Sequence, residues 1–140
     1  MAEDLRVAAT SARSGREAYH GPRDGADAGR LDSFAMDTIP ELDVEAARRL
    51  QEAGGATFID VRDPGSHLAA HVPGAVRVDD GTLGKFLRDT PRDRPLVVYC
   101  YHGHSSLGGA AYFLEQGFKQ VWSMHGGFEA WRGRFPHEAG

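Results

Sequence analysis

The chain reads as an α/β domain: a mostly parallel central sheet of about five strands, flanked by helices on both faces. Three observations predict this. From Asp37 onward, short β-prone runs alternate with longer amphipathic ones. Strands separated by helices imply right-handed crossovers and therefore a parallel sheet. Leu96-Val97-Val98-Tyr99-Cys100 is apolar at successive positions, so both of its faces are covered, as in the middle of a parallel sheet.

The elements follow in order. Thr38-Ile39 predicts a short edge strand stopped by Pro40. Asp43 is placed to N-cap a helix running through Ala53, with Val44, Ala47 and Leu50 on one face and Gly54-Gly55 ending it. Thr57–Val61 is the next strand, Pro64–Ala70 one or two helical turns, and Ala75–Val78 a further strand. Asp80 precedes a helix over Gly81–Asp89 that turns Leu83, Phe86 and Leu87 inward. After the central strand, Ser106–Gln116 predicts a helix, Gln120–Met124 a strand, and Gly127–Arg134 a last short helix carrying Phe128 and Trp131.

Composition excludes several classes of function. The chain has 140 residues and a formal net charge of −4, with no long basic block, so nucleic acid is not an expected partner. No apolar run approaches a membrane span, so no membrane partner is expected. A single cysteine rules out an internal disulfide framework and a multi-cysteine metal site, and it suits a reducing, cytoplasmic setting. Residues 1–35 hold four glycines, mixed charges and no periodic apolar face, which predicts a disordered N-terminal extension ahead of a folded domain over 36–140. The acidic residues in that stretch argue against an organelle transit peptide, and Met36 is an alternative start.

The lone cysteine stands at the C-terminal end of the central strand, before the loop Tyr101-His102-Gly103-His104-Ser105-Ser106 and a helix. That is where α/β folds hold their chemistry, and helix N-terminal amides stabilise negative charge there. Such a setting lowers a thiol pKa from about 8.5 toward roughly 3.5–7.5. The bland alternative is an inert buried cysteine, which the adjoining loop and helix make the weaker reading.

Four segments, in order, resemble the rhodanese domain family, in particular its short single-domain thiosulfate sulfurtransferases. They are Phe58-Ile59-Asp60-Val61-Arg62-Asp63, His71-Val72-Pro73-Gly74-Ala75, Cys100–Ser106 and Gly126-Gly127-Phe128-Glu129-Ala130-Trp131. The resemblance spans Thr38 to Pro136 and implies a persulfide-forming cysteine at Cys100. The implied activity moves a sulfane sulfur from thiosulfate to a thiol or cyanide, without metal or cofactor.

The residues themselves allow that chemistry. Sulfite leaves as a stable anion and needs no proton, so the site requires a thiolate and a cradle of donors rather than a proton relay. Backbone amides converging on a persulfide anion supply such a cradle. Gly103 permits the tight path, and Ser105 and Ser106 offer hydroxyl donors and caps for the following helix. Tyr101, His102 and His104 complete the candidate substrate-binding loop. For the two histidines, solvated loop polarity is the simpler reading and an anion-facing rim the functional one. A metal site built from Cys100, His102, His104 and His125 is disfavoured, because it would disrupt the amide cradle. Arg62 is a candidate for binding a dianion, or a structural partner of an acid such as Glu129, and Asp60 falls near the loop. His71 reads as structural, and Trp131 and Phe128 as core or pocket wall.

Cysteine phosphatases also place a thiolate at a strand end, but their Cys-x5-Arg loop needs a guanidinium for the phosphoryl dianion. Ser106 occupies that position here. Against the family pattern, Leu107 stands where a Lys or Arg is usual, His104 where Asn is common, Ser66-His67 where a Glu-aromatic pair is, and Ala70 where Gly is. The first departure bears on thiosulfate affinity. Two alternatives to the enzyme remain at this stage: a relay carrier whose persulfide is loaded by a partner and passed to a sulfur-accepting protein, and a non-catalytic interaction module.

Overall fold

The computed structural model describes residues 39–140, so the predicted extension over 1–35 and Met36 lie outside the described residues. Within them, the strands are β1 Glu41–Leu42, β2 Thr57–Asp60, β3 Val76–Arg77, β4 Leu96–Tyr99 and β5 Val121–Met124. The helices are α1 Val44–Glu52, α2 Pro64–Ala69, α3 Leu83–Asp89, α4 Ser105–Glu115 and α5 Gly127–Arg132. Every strand pair is parallel, in the order β1-β5-β4-β2-β3, which puts β4 and its C-terminal Cys100 at the centre. No described helix is long and apolar enough to cross a membrane.

Alternation along the strands sorts two cores. Phe58, Val97, Tyr99, Trp122 and Met124 face α1 and α5, packing with Leu50, Phe128 and Trp131. Ile59, Leu96, Val98 and Val121 face the other way, toward Ala110 and Phe113 of α4, with Leu83, Phe86 and Leu87 of α3 packed alongside. A period of two on strands buried on both faces produces this division. Trp131 is fully buried and meets Phe58 edge-on, at 5.9 Å between ring centroids.

Local chemistry explains the boundaries. Asp43 caps α1 by accepting from the Ala46 amide at 2.9 Å. The first strand differs from expectation. It lies after Pro40 rather than before it, because Pro40 has no amide hydrogen but offers its carbonyl to the Ser123 amide at 2.9 Å, and pairing with β5 starts at Glu41. Ile39 is buried in the second core. At α3, Asp79 rather than Asp80 organises the start: its carboxylate accepts from the Gly81 and Thr82 amides at 2.9 and 3.0 Å. The helix therefore begins at Leu83.

Candidate active site

Cys100 follows β4 directly and keeps only 7% of its surface exposed. Along β4, positions 96 and 98 face α4, and Cys100 continues that parity toward the N-terminus of the same helix. The chain then bends back so that loop amides meet the sulfur: Gly103 N–H donates to Sγ at 3.1 Å and Ser106 N–H at 3.3 Å. The Ser106 hydroxyl lies 3.4 Å from Sγ. Gly103 makes the turn at φ +98°, a conformation that side chains with a Cβ rarely adopt.

The loop is held open toward the sulfur by α5. The amides of Phe128 and Glu129 donate to the carbonyls of Cys100 and Tyr101 at 2.8 and 2.9 Å. Those carbonyls are thereby satisfied on the far side, which leaves the loop amides free to face Sγ. Such close approach requires glycine at position 127: a Cβ there would stand 2.7 Å from the Cys100 carbonyl oxygen and nearer still to that of Tyr101. The Gly126-Gly127 pair is therefore the brace of the cradle.

Behind the sulfur lies a short chain of hydroxyls. Ser106 Oγ is 2.8 Å from Ser123 Oγ, and both residues are fully buried. Ser123 sits on β5 beside Val98 of β4.

Burial pushes the Cys100 thiol up. Hydrogen bonds from the Ser106 hydroxyl and from the amides of Ser106, Gly103 and His102 outweigh it, so the net direction is down from the ordinary thiol value. The helix macrodipole acts in the same direction.

Arg62 is placed elsewhere. Its guanidinium binds Asp60 in bidentate fashion at 2.8 and 3.0 Å, donates to the Ala70 carbonyl at 2.6 Å, and lies 4.4 Å from the Phe128 ring centroid. Its expected acidic partner Glu129 instead pairs with Arg132 at 3.5 Å. The reason is local: Asp60 and Arg62 are two residues apart at the end of β2, and both are buried too deeply to remain unpaired. Asp60 also takes bonds from the Tyr99 hydroxyl at 3.0 Å and from His67 Nδ1 at 2.9 Å. Burial raises the Asp60 carboxyl, and the bonds from Arg62 and His67 overcome it, so its net direction is down. Burial together with the Asp60 charge drives the Tyr99 hydroxyl upward, so it stays protonated and donating.

The remaining loop residues form a rim. Tyr101, His102, His104 and Ser105 are exposed. Neither serine caps α4: the N-cap position belongs to His104, whose side chain makes no capping bond. His71 acts within the framework, donating from Nδ1 to the His67 carbonyl at 2.7 Å and stacking on the His67 ring. Leu107 packs against the second core.

Ser123 and the bracing role of Gly127 escaped the sequence reading. A signal for the first was available: β5 is Val-Trp-Ser-Met, one hydroxyl in a strand buried at every position. The second needed the spatial meeting of α5 with the loop.

Comparison with known proteins agrees with this geometry. Residues 43–134 match the rhodanese-like domain family. The chain is 45% identical over 100 residues to the thiosulfate sulfurtransferase GlpE of Pseudomonas aeruginosa (strain LESB58), covering 71% of this chain and 90% of that protein. Among solved structures, a Rhodopseudomonas palustris protein of unknown function, described as a possible tyrosine phosphatase, is 29% identical with a TM-score of 0.65, covering 77% of this chain and 90% of that one. The polysulfide-sulfur transferase homodimer of Wolinella succinogenes shares the fold, at 23% identity and a TM-score of 0.63 over 86% of this chain and 93% of that one. A thiol at the tip of the central strand, a loop of amides around it and a matching sequence over most of the described chain lead to one assignment: this chain belongs to the rhodanese-like domain family.

Proposed function

We propose that this protein is a thiosulfate sulfurtransferase that carries the transferred sulfur as a persulfide on Cys100. The observation that carries the reading is the convergence of the Gly103 and Ser106 amides on Sγ at the head of an 11-residue helix. The likeness to GlpE proteins supports the choice of thiosulfate as donor.

In the first half-reaction the Cys100 thiolate attacks the outer sulfur of thiosulfate. The sulfur–sulfur bond of thiosulfate breaks, its electron pair leaves with sulfite, and Cys100 becomes Cys–S–S⁻. In the second, cyanide or a thiolate attacks the outer sulfur. The bond between Sγ and the outer sulfur breaks with its electron pair returning to Sγ, and thiocyanate or a new persulfide departs. This is double displacement through a covalent intermediate. Neither leaving group needs a proton, which suits a site whose nearest groups are amides and hydroxyls. The amides hold negative charge in both resting forms, and fixed dipoles need no rearrangement as the charge moves outward by one sulfur. Tyr101, His102, His104 and Ser105 form the rim that meets the substrates, and Arg62 serves the framework through Asp60.

Phosphatase chemistry is disfavoured by the lack of a guanidinium among residues 100–107 and by the engagement of Arg62 with Asp60. One observation favours a second reading. Because no lysine or arginine lies between Cys100 and Leu107, a dianionic donor meets dipoles only, which suits a relay carrier loaded by a partner's persulfide. A cytoplasmic location belongs to the same proposal, and its support is chemical: the thiolate must be kept reduced between cycles.

Mass spectrometry after exposure to thiosulfate tests the proposal. The expected result is an adduct of one sulfur on Cys100, removed by cyanide with release of thiocyanate. Loading by a protein persulfide but not by thiosulfate shifts the assignment to the relay, and loading by neither overturns both.

A further inference from the structure

We propose that Ser123 is a positioning residue for the sulfur anion: its hydroxyl donates to Ser106 Oγ and so commits the Ser106 hydroxyl hydrogen to the sulfur. The inference rests on Cys100 being the sulfur carrier and adds a residue outside the loop to its machinery.

The geometry is a three-atom chain. Sγ of Cys100 lies 3.4 Å from Ser106 Oγ, which lies 2.8 Å from Ser123 Oγ. All three residues are buried, and the two serines have no exposed surface. Ser123 Oγ has no other hydrogen-bond partner among the described residues. The chain can therefore be polarised in two ways. With a neutral thiol, either S–H donates to Ser106, Ser106 to Ser123 and the Ser123 hydrogen is left without an acceptor, or the chain runs the other way and ends on a thiol sulfur, a weak acceptor. With a sulfur anion, Ser123 donates to Ser106 and Ser106 donates to sulfur, so every hydroxyl hydrogen is engaged. A buried polar hydrogen without an acceptor is costly, and hydrogen bonds in series strengthen one another. The arrangement thus favours the charged form of the sulfur.

Position supports the role. Ser123 is held on both sides by the sheet, with its amide bonded to the Pro40 carbonyl at 2.9 Å and Val98 of β4 as its neighbour. It shares the face of β5 that looks toward α4, where Val121 packs into the second core. A strand-borne hydroxyl cannot drift with the loop, so it fixes Ser106 from the rigid side of the site.

The test titrates the thiol rather than turnover, by the pH dependence of Cys100 alkylation. In Ser123→Ala, which removes one oxygen, the midpoint of that profile rises by about half to one pH unit, a three- to tenfold loss of thiolate below the midpoint. Ser123→Thr, which keeps the hydroxyl, holds the wild-type midpoint. In a Ser106→Ala background, Ser123→Ala adds nothing, because the link to sulfur is already cut. A wild-type midpoint in Ser123→Ala with an unchanged thermal melt, or shifts that add in the double variant, overturns the proposal. Should Ser123→Ala not fold, a Ser123→Thr midpoint as high as that of Ser106→Ala also overturns it. Because alkylation requires no sulfur donor, failure of the sulfurtransferase reading is seen separately, as absence of the sulfur adduct.

Discussion

The two ends of neighbouring strands β2 and β4 handle negative charge in opposite ways. At the end of β2, the Asp60 carboxylate is held by a full positive charge, the bidentate Arg62 guanidinium, with Tyr99 and His67 completing the shell. At the end of β4, Cys100 is held by amides and a hydroxyl alone. The contrast is chemical. Asp60 has no part in the transfer that would require its charge to change, and a buried fixed charge needs a counter-charge. In the proposed function the sulfur changes state, from thiolate to persulfide and back, and releases its outer atom. Dipoles stabilise the charge wherever it lies within the ring, without a counter-ion fixed at one sulfur. A strongly cationic residue close to the site is therefore built into the framework, where its grip is useful.

Breaking the dipole end at its centre has the largest effect. Cys100→Ser is expected to abolish thiosulfate:cyanide turnover, measured as thiocyanate release, because a hydroxyl at neutral pH is not ionised. Its thermal midpoint stays close to that of the wild type, since one buried atom changes by a small volume. The next largest effect lies at the charged end. Asp60→Asn leaves Arg62 buried without its counter-ion and costs about 3–5 kcal/mol in denaturant unfolding. The pH dependence has a definite sign. The folded carboxyl of Asp60 titrates below its unfolded value, so its contribution is fully present above the ordinary carboxylate range and is lost as pH falls through the folded value. Asp60→Asn removes that part of the acid limb from a plot of stability against pH.

The brace comes third. Gly127→Ala forces a Cβ onto the carbonyls of Cys100 and Tyr101 at a position with φ +62°. The loop must move, its amides lose their aim, and turnover falls by roughly 10²-fold, as when an oxyanion donor is removed. Far-UV circular dichroism should remain near wild type if the effect is confined to the loop. The smallest effect tests whether dipoles alone suffice for the donor. Leu107→Lys brings a cation to the loop at the edge of the second core, with its stem lying along apolar surface. The thiosulfate KM should fall by a few-fold, on the order of 1 kcal/mol. An unchanged KM would mean that the amides already satisfy the dianion.

Much of this was legible in the linear chain. The parallel α/β architecture followed from alternation, the central strand from its two-faced apolar run, and α1 from Asp43 and the glycines after it. These are local or periodic properties, and each residue carries its own share of the signal. Cys100 and its loop were legible for the same reason, because strand, thiol, glycine and helix start are consecutive. Other features were not. The place of β1 depended on the Pro40 carbonyl finding the Ser123 amide. The partner of Arg62 depended on which acid shared its burial.

The linear chain by itself thus determined the layered fold, the place of the lone thiol at a strand end and the absence of a guanidinium from its loop, since periodicity and adjacency are written along the backbone. Only the tertiary structure decided which way the loop amides point, because Phe128 of α5 must arrive from 28 positions downstream to satisfy the Cys100 carbonyl. It also decided that Ser123 stands behind Ser106. Hydrogen bonds across sheet and helix depend on distances in space, and a sequence carries no metric for those.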